Sequence, residues 1–146
     1  PVIASHSNCR ALVDTKRNLT DKQIKAIASK NGVIGMNAAS IFTANDDKKA
    51  NVESLINHVD HIAKLVGVKH VGVGFDFCDR LRQYDQPEAS NSTSRKPFDV
   101  LKGHKKINKF VQALIERGYK DKEIELILGK NFMRVYKEVL TCFSQL

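Results

Sequence analysis

Apolar residues along this 146-residue chain fall into two alternating patterns. Three short segments are predominantly apolar: PVIASH at 1–6, GVIGMNA at 32–38 and HVGVGFDF at 70–77. Elsewhere apolar residues recur at spacings of three and four. The short unbroken runs predict buried strands, and the periodic segments predict amphipathic helices.

The first helix, in LTDKQIKAIASK, is expected to begin at Thr20 as N-cap, with Gln23 completing a capping box and Ile24, Ile27 and Ala28 forming the apolar stripe. A second, in ANVESLINHVDHIAKLVG, aligns Val52, Leu55, Ile56, Val59, Ile62, Ala63 and Val66 and ends at Gly67. Strands apolar on both faces that alternate with such helices predict a parallel sheet covered by helices, an α/β fold. From about residue 79 to 102 the chain turns polar, QYDQPEASNSTSRKP carries two prolines, and a long loop is expected. HKKINKFVQALIERG and DKEIELILG then predict helices ending at Gly118 and Gly129, and NFMRVYKEVLTCF a final one. This last third reads as a helical cover without a strand, and no internal repeat is visible.

Composition, 42% hydrophobic and 27% charged, is that of a globular chain, and no run approaches the roughly 18 apolar residues of a membrane span. Lysine and arginine outnumber acids 24 to 16, and the net charge of +8 could serve nucleic acid or an anionic surface. The distribution argues otherwise. Lysines alternate with acids in DKQIKAIASK and ERGYKDKEIE, as on solvated helix faces, and there is no Gly-rich phosphate loop, aromatic platform or basic stripe. A basic α/β module binding nucleic acid or another anion is therefore ranked low, with no nucleic acid expected as partner. Cys9, Cys78 and Cys142 are odd in number and lack CxxC spacing, which suits reduced thiols in a cytosolic protein. A cytoplasmic location is favoured on that ground. The chain starts at Pro1 without an initiator methionine or a signal-like segment, so membrane anchoring and secretion stay open.

Polar residues stand where the runs end: His6 after the first, Asn37 late in the second, Asp76 late in the third. In parallel α/β folds ligands gather at the carboxyl ends of the strands. A histidine and an aspartate there suit metal binding and proton transfer. On pattern alone, a polar residue at a strand end serves structure about as readily as function.

The segments PVIASHSNCRAL, RNLTDKQIKAIA, GVIGMN, HVDHIAKLVGVKHVGVGFDF and LIERGYKDKEIELILGKNFMRVYKEV together resemble, in order, the carboxy-terminal part of the membrane dipeptidase (renal dipeptidase) family. The resemblance implies a (β/α)₈ TIM-type metal-dependent hydrolase barrel of the amidohydrolase kind. It implies that His6, in SHS, is a metal ligand to one of two zinc ions. Arg17, in the RN pair, would bind the free carboxylate of a dipeptide, chemistry that suits a planar guanidinium. Asp76, in GVGFDF, would be the catalytic residue that transfers protons. The implied activity is hydrolysis of dipeptides, including those with a D-residue second, by metal-activated water. A catalytically degenerate homologue that binds peptides is the variant of this reading.

The family continues DFDG where this chain reads DFCD, with Cys78 and Asp79 replacing an acid and a glycine. The family's remaining metal ligands, an HxD pair, a bridging glutamate and another histidine, have no counterpart here. His58 and His61 fall on a covering helix and read as surface or packing residues. His70 stands at the wrong end of its strand, and His104 at an exposed helix start. Residues 1–146 are thus expected to be about the last three β/α units and terminal helices of a single (β/α)₈ domain, which typically needs about 250 residues. The amino-terminal part, from the same chain or a second one, would be the missing partner, and the complete protein is expected to be a homodimer. Alone, the segment is expected to be inactive, to bind zinc poorly, and to expose sheet edges with Val2, Ile3, Val33, Ile34 and Val71.

Overall fold

A computed structural model describes residues 1–82 and 96–143. The elements run β1 (Ile3–Ala4), α1 (Asp21–Ser29), β2 (Val33–Met36), a short α2 (Ser40–Thr43), α3 (Val52–Val66), β3 (Val71–Val73), α4 (Asp79–Arg82), α5 (Ile107–Glu116), α6 (Asp121–Glu125) and α7 (Asn131–Phe143). The three strands form one parallel sheet in the order β1-β2-β3, with Ile34 opposite Val71 and Gly35 opposite Gly72. The fold is α/β.

Local sequence accounts for the helix ends. Thr20 accepts from the Gln23 backbone N–H while Gln23 Oε1 accepts from the Thr20 N–H, both halves of the capping box. Asn51 and Ser54 form a second box at the start of α3. Gly67 and Gly118, with φ of 97° and 92°, end α3 and the α5 turn in the region that favours glycine. Gly129 does not end its helix as expected: a widened turn over Leu126–Lys130 carries the chain from α6 into α7 with a kink. Part of the long polar loop, residues 83–95, lies outside the described residues.

Strand side chains alternate between faces. Ile34, Met36 and Val71 join Ile24, Leu55, Ile56, Val59, Ile62, Phe110 and Leu114 in the main core, each contributing roughly 1.5–3 kcal/mol by burial. On the opposite face stand Val33, Gly35 and Gly72. A Cβ at Gly72 would lie 2.4 Å from the Phe132 ring of α7, and one at Gly35 or Gly74 would lie 2.2 or 1.8 Å from the Ser5 carbonyl oxygen. Over the glycines that face is covered by the Ser5 backbone and the Phe132 ring, while Ile3, paired with Val33 on the same face, is exposed.

The expected exposure of Val33, Ile34 and Val71 is therefore corrected: all three are fully buried within this chain. Val2 and Ile3 are exposed, 54% and 38%, because β1 has a neighbour on one side only. PVIASH is a two-residue edge strand, not a buried one.

The helix α7 closes the end at which the strands begin. Asn131 Nδ2 donates to the carbonyls of Val68 (2.9 Å) and Val71 (2.7 Å), and Arg134 to those of Asn31 and Lys69. His70 is buried at this same end, its Nδ1 2.8 Å from the Gly32 carbonyl. His58 of α3 is fully buried: the Cys9 N–H donates to its Nδ1 (3.1 Å), which leaves Nε2–H to donate to the Thr43 carbonyl (3.1 Å). Burial pushes its pKa down to about 4. His61 pairs with Asp21, and His104 is exposed, edge-on to Phe77. Among the described residues no helix is long and apolar enough to cross a membrane.

Candidate active site

The opposite end of the sheet, where the strands stop, gathers the polar residues. After β1 the chain bends over the sheet, its Ser7 N–H donating to the Gly35 carbonyl (2.7 Å). His6 sits in this bend. The segment that follows returns to pair Cys9 with Leu19, and the turn between them is built around Arg10. Arg10 Nε donates to the carbonyls of Thr15 and Asn18, and its Nη2 to that of Lys16. Asn18, buried beneath, donates to the carbonyls of Val13 and Phe42. This scaffold presents Arg17 on its outer side.

Arg17 Nη2 lies 2.5 Å from His6 Nε2, and the guanidinium is 6.0 Å from the centre of the Phe42 ring, within cation–π range. His6 Nδ1 is 2.7 Å from Ser5 Oγ. The structure thus brings His6 and Arg17 into direct contact at the rim.

Asp76 is tied to the same rim through two buried asparagines. Asn8 accepts from the Asn37 N–H (2.9 Å) and donates to the Asn37 carbonyl (3.0 Å), which locks the loop carrying His6 to the end of β2. Asn37 Nδ2 in turn lies 3.3 Å from Asp76 Oδ2. Asp76 is exposed and has φ of 56°, a backbone region that costs a non-glycine residue roughly 1–2 kcal/mol. Cys78 Sγ lies 3.1 Å from the Asp76 carbonyl oxygen and 3.7 Å from its Oδ1.

The long loop is fastened at its base. Asp99, 1% exposed, accepts from the N–H groups of Cys78 and Asp79, both at 2.9 Å, and its own N–H donates to Asp79 Oδ1 (2.9 Å). Ser40 and Phe98 exchange two further bonds. The DFCD departure thus supplies a loop anchor in Asp79 and a thiol beside Asp76.

The roles of Asn8, Arg10 and Asp99 are not legible in the sequence, since no period marks a polar residue that folds inward. The one signal for Asn8 is its place two residues after His6.

Residues 1–145 match the family described as membrane dipeptidase (Peptidase family M19). The chain belongs to that family. It is 32% identical over 139 residues to dipeptidase tcpJ of Claviceps purpurea (strain 20.1), covering 95% of this chain and 29% of that protein. Dipeptidase ataJ of Aspergillus terreus (strain NIH 2624 / FGSC A1156) is 31% identical over 140 residues, covering 95% and 31%. Among solved structures, a metallo peptidase from Rhodobacter sphaeroides liganded with a phosphinate mimic of the dipeptide L-Ala-D-Ala is 27% identical with a TM-score of 0.67, covering 90% of this chain and 34% of that one. The chain spans less than half the length of the curated relatives it matches.

Membership of this metallopeptidase family raises the question of fit for metal. Among the described residues no group of three or more His, Cys, Asp or Glu side chains gathers to hold an ion. His6 does offer a donor: its Nδ1 faces a hydroxyl and its Nε2 faces Arg17 at the sheet end. The donor set fits one ligand of a metal centre, not a whole one.

Proposed function

We propose that this chain is the carboxy-terminal part of a (β/α)₈ zinc dipeptidase. The contact between His6 and Arg17 at the carboxyl end of the sheet carries the reading, because a metal ligand and a carboxylate receptor must lie side by side to act on one dipeptide. Family membership over residues 1–145 and the dipeptide mimic bound by the Rhodobacter sphaeroides enzyme support it. His6 would hold one of two zinc ions, whose other ligands come from the amino-terminal part of the barrel. When bound, zinc activates water and polarises the peptide carbonyl. Arg17 binds the terminal carboxylate of the dipeptide through two N–H groups and so fixes which peptide bond faces the metal. Asp76 holds and passes on the proton needed by the departing amine. A free carboxylate one residue from the cleaved bond is the feature Arg17 selects, and family membership points to dipeptides, including those ending in a D-residue, as the substrate class. The complete protein is a homodimer in this reading.

The test is zinc content by mass spectrometry and dipeptide hydrolysis by the full-length protein, with the His6→Ala variant beside it. Two zinc ions per protomer, fewer in the variant, and loss of turnover are expected. Full zinc content in His6→Ala overturns the ligand assignment, and zinc bound without any turnover by the parent favours the degenerate, peptide-binding variant.

A further inference from the structure

We propose that Asn37 is a positioning residue for the carboxylate of Asp76, an inference that rests on the proton-transfer reading of Asp76. Asn37 is fully buried at the end of β2. Its Oδ1 accepts from the Ala39 backbone N–H at 2.8 Å. A backbone N–H only donates, so the orientation of the carboxamide is fixed: Oδ1 faces Ala39 and the NH₂ group faces Asp76. The Asn37 backbone is clamped on both its polar atoms by Asn8, itself fully buried. Rotating the amide would leave buried polar atoms without partners, which costs about 1–3 kcal/mol for each.

A rigid buried donor therefore meets an exposed carboxylate on a left-handed residue. The 3.3 Å separation exceeds the usual N–H···O range of about 2.7–3.2 Å, a looseness common in active-site contacts before substrate arrives. The donor does two things. It selects the Asp76 rotamer that faces the rim, and it leaves Oδ1 as the oxygen that carries the proton. Cys78 Sγ stands on that Oδ1 side at 3.7 Å. The route from Asn8 to Asn37 to Asp76 also links this carboxylate to the loop that bears His6, so that metal ligand and proton carrier share one buried brace.

The experiment is a double-mutant cycle in the full-length protein with a dipeptide substrate. Asn37→Asp keeps the shape and the Ala39 bond but turns the donor toward Asp76 into an acceptor. Its kcat should fall about 10- to 100-fold, with KM within about threefold of the parent. Against the residual rate of Asp76→Ala, the same substitution should add no further loss. The exchange variant, Asn37→Asp with Asp76→Asn, restores a donor–acceptor pair in reverse. It should regain the thermal midpoint lost by Asn37→Asp without regaining turnover, which keeps the test readable even where the single variant folds poorly. The inference is overturned by a parental kcat in Asn37→Asp, by an equal loss in both backgrounds, or by an exchange variant no more stable than Asn37→Asp. An Asp76→Ala variant that hydrolyses dipeptide at the parental rate removes the proton-transfer reading as well. An impaired Asp76→Ala with an uncoupled Asn37 removes this inference alone.

Discussion

Nη2 of Arg17 lies 2.5 Å from Nε2 of His6. A guanidinium only donates, so Nε2 is the nitrogen with the lone pair, and Nδ1 carries the proton that Ser5 Oγ accepts at 2.7 Å. A metal ion at His6 would use that same lone pair. A metal held as proposed would therefore have to displace Arg17 from that atom.

Arg17→Lys retains the charge but loses the fork that binds a carboxylate at two points. In the full-length protein KM for a dipeptide should rise about tenfold or more, with kcat changed less. Zinc content, measured on the same variant, should be undiminished because the competitor for Nε2 has been weakened. A parental KM would remove Arg17 from the substrate site.

Gly74→Ala should disturb the same loop from below. Its Cβ would stand 1.8 Å from the Ser5 carbonyl oxygen, a backbone atom with little freedom to yield. Overpacking of this kind costs about 1–3 kcal/mol, and the displaced segment carries His6. Both the thermal midpoint and the zinc content of the full-length protein should fall; a variant as stable as the parent with unchanged zinc would show that the loop relaxes freely.

His58 makes folding sensitive to acid. Burial lowers its pKa from 6.5 to about 4, with His61 adding slightly and the Thr43 bond opposing. Between these values the unfolded chain takes up a proton that the folded one refuses, so stability is full above pH 6.5 and declines as the pH falls toward 4. The loss should approach roughly 3 kcal/mol at the low end. His70, also lowered by burial, acts in the same direction. Thermal unfolding at pH 7.5 and pH 4.5 checks this, with His58→Gln as the control that weakens the dependence and leaves the part due to His70.

Cys9 should be chemically silent while the protein is folded. It is fully buried, and burial pushes its thiol up to about 12. The thiolate is the reactive form, so alkylation by iodoacetamide at pH 8 should miss Cys9 in the native protein and reach it in denaturant. Peptide mass spectrometry reads the modification; native labelling of Cys9 would mean that the loop between β1 and α1 opens readily.

Features set by neighbours in sequence are legible in the sequence itself. The capping box of Thr20 and Gln23 and the run from Val52 to Gly67 depend on spacing alone, and the structure has both. His58 was legible in part, since it falls three residues after Leu55 on the buried face of α3. The exposure of β1 is not, because it depends on what lies across the sheet: β1 and β2 have similar sequences, yet Ile3 is exposed and Ile34 is not. The glycines of VGVGF were plainly visible, but their purpose depends on Ser5 and Phe132, distant in sequence. Strand-end polarity points to His6, Asn37 and Asp76; the single bond that joins Asn37 to Asp76 depends on the three-dimensional fold.

The reciprocal bonds between Asp79 and Asp99 act as two fixed posts. Whatever chain runs between them begins and ends at the same points. The entropy of closing such a span grows only with the logarithm of its length, about 0.6 kcal/mol for each doubling. Changes in length between Asp79 and Asp99 should therefore cost folding little, because the pair that joins the two ends stays the same however long the span.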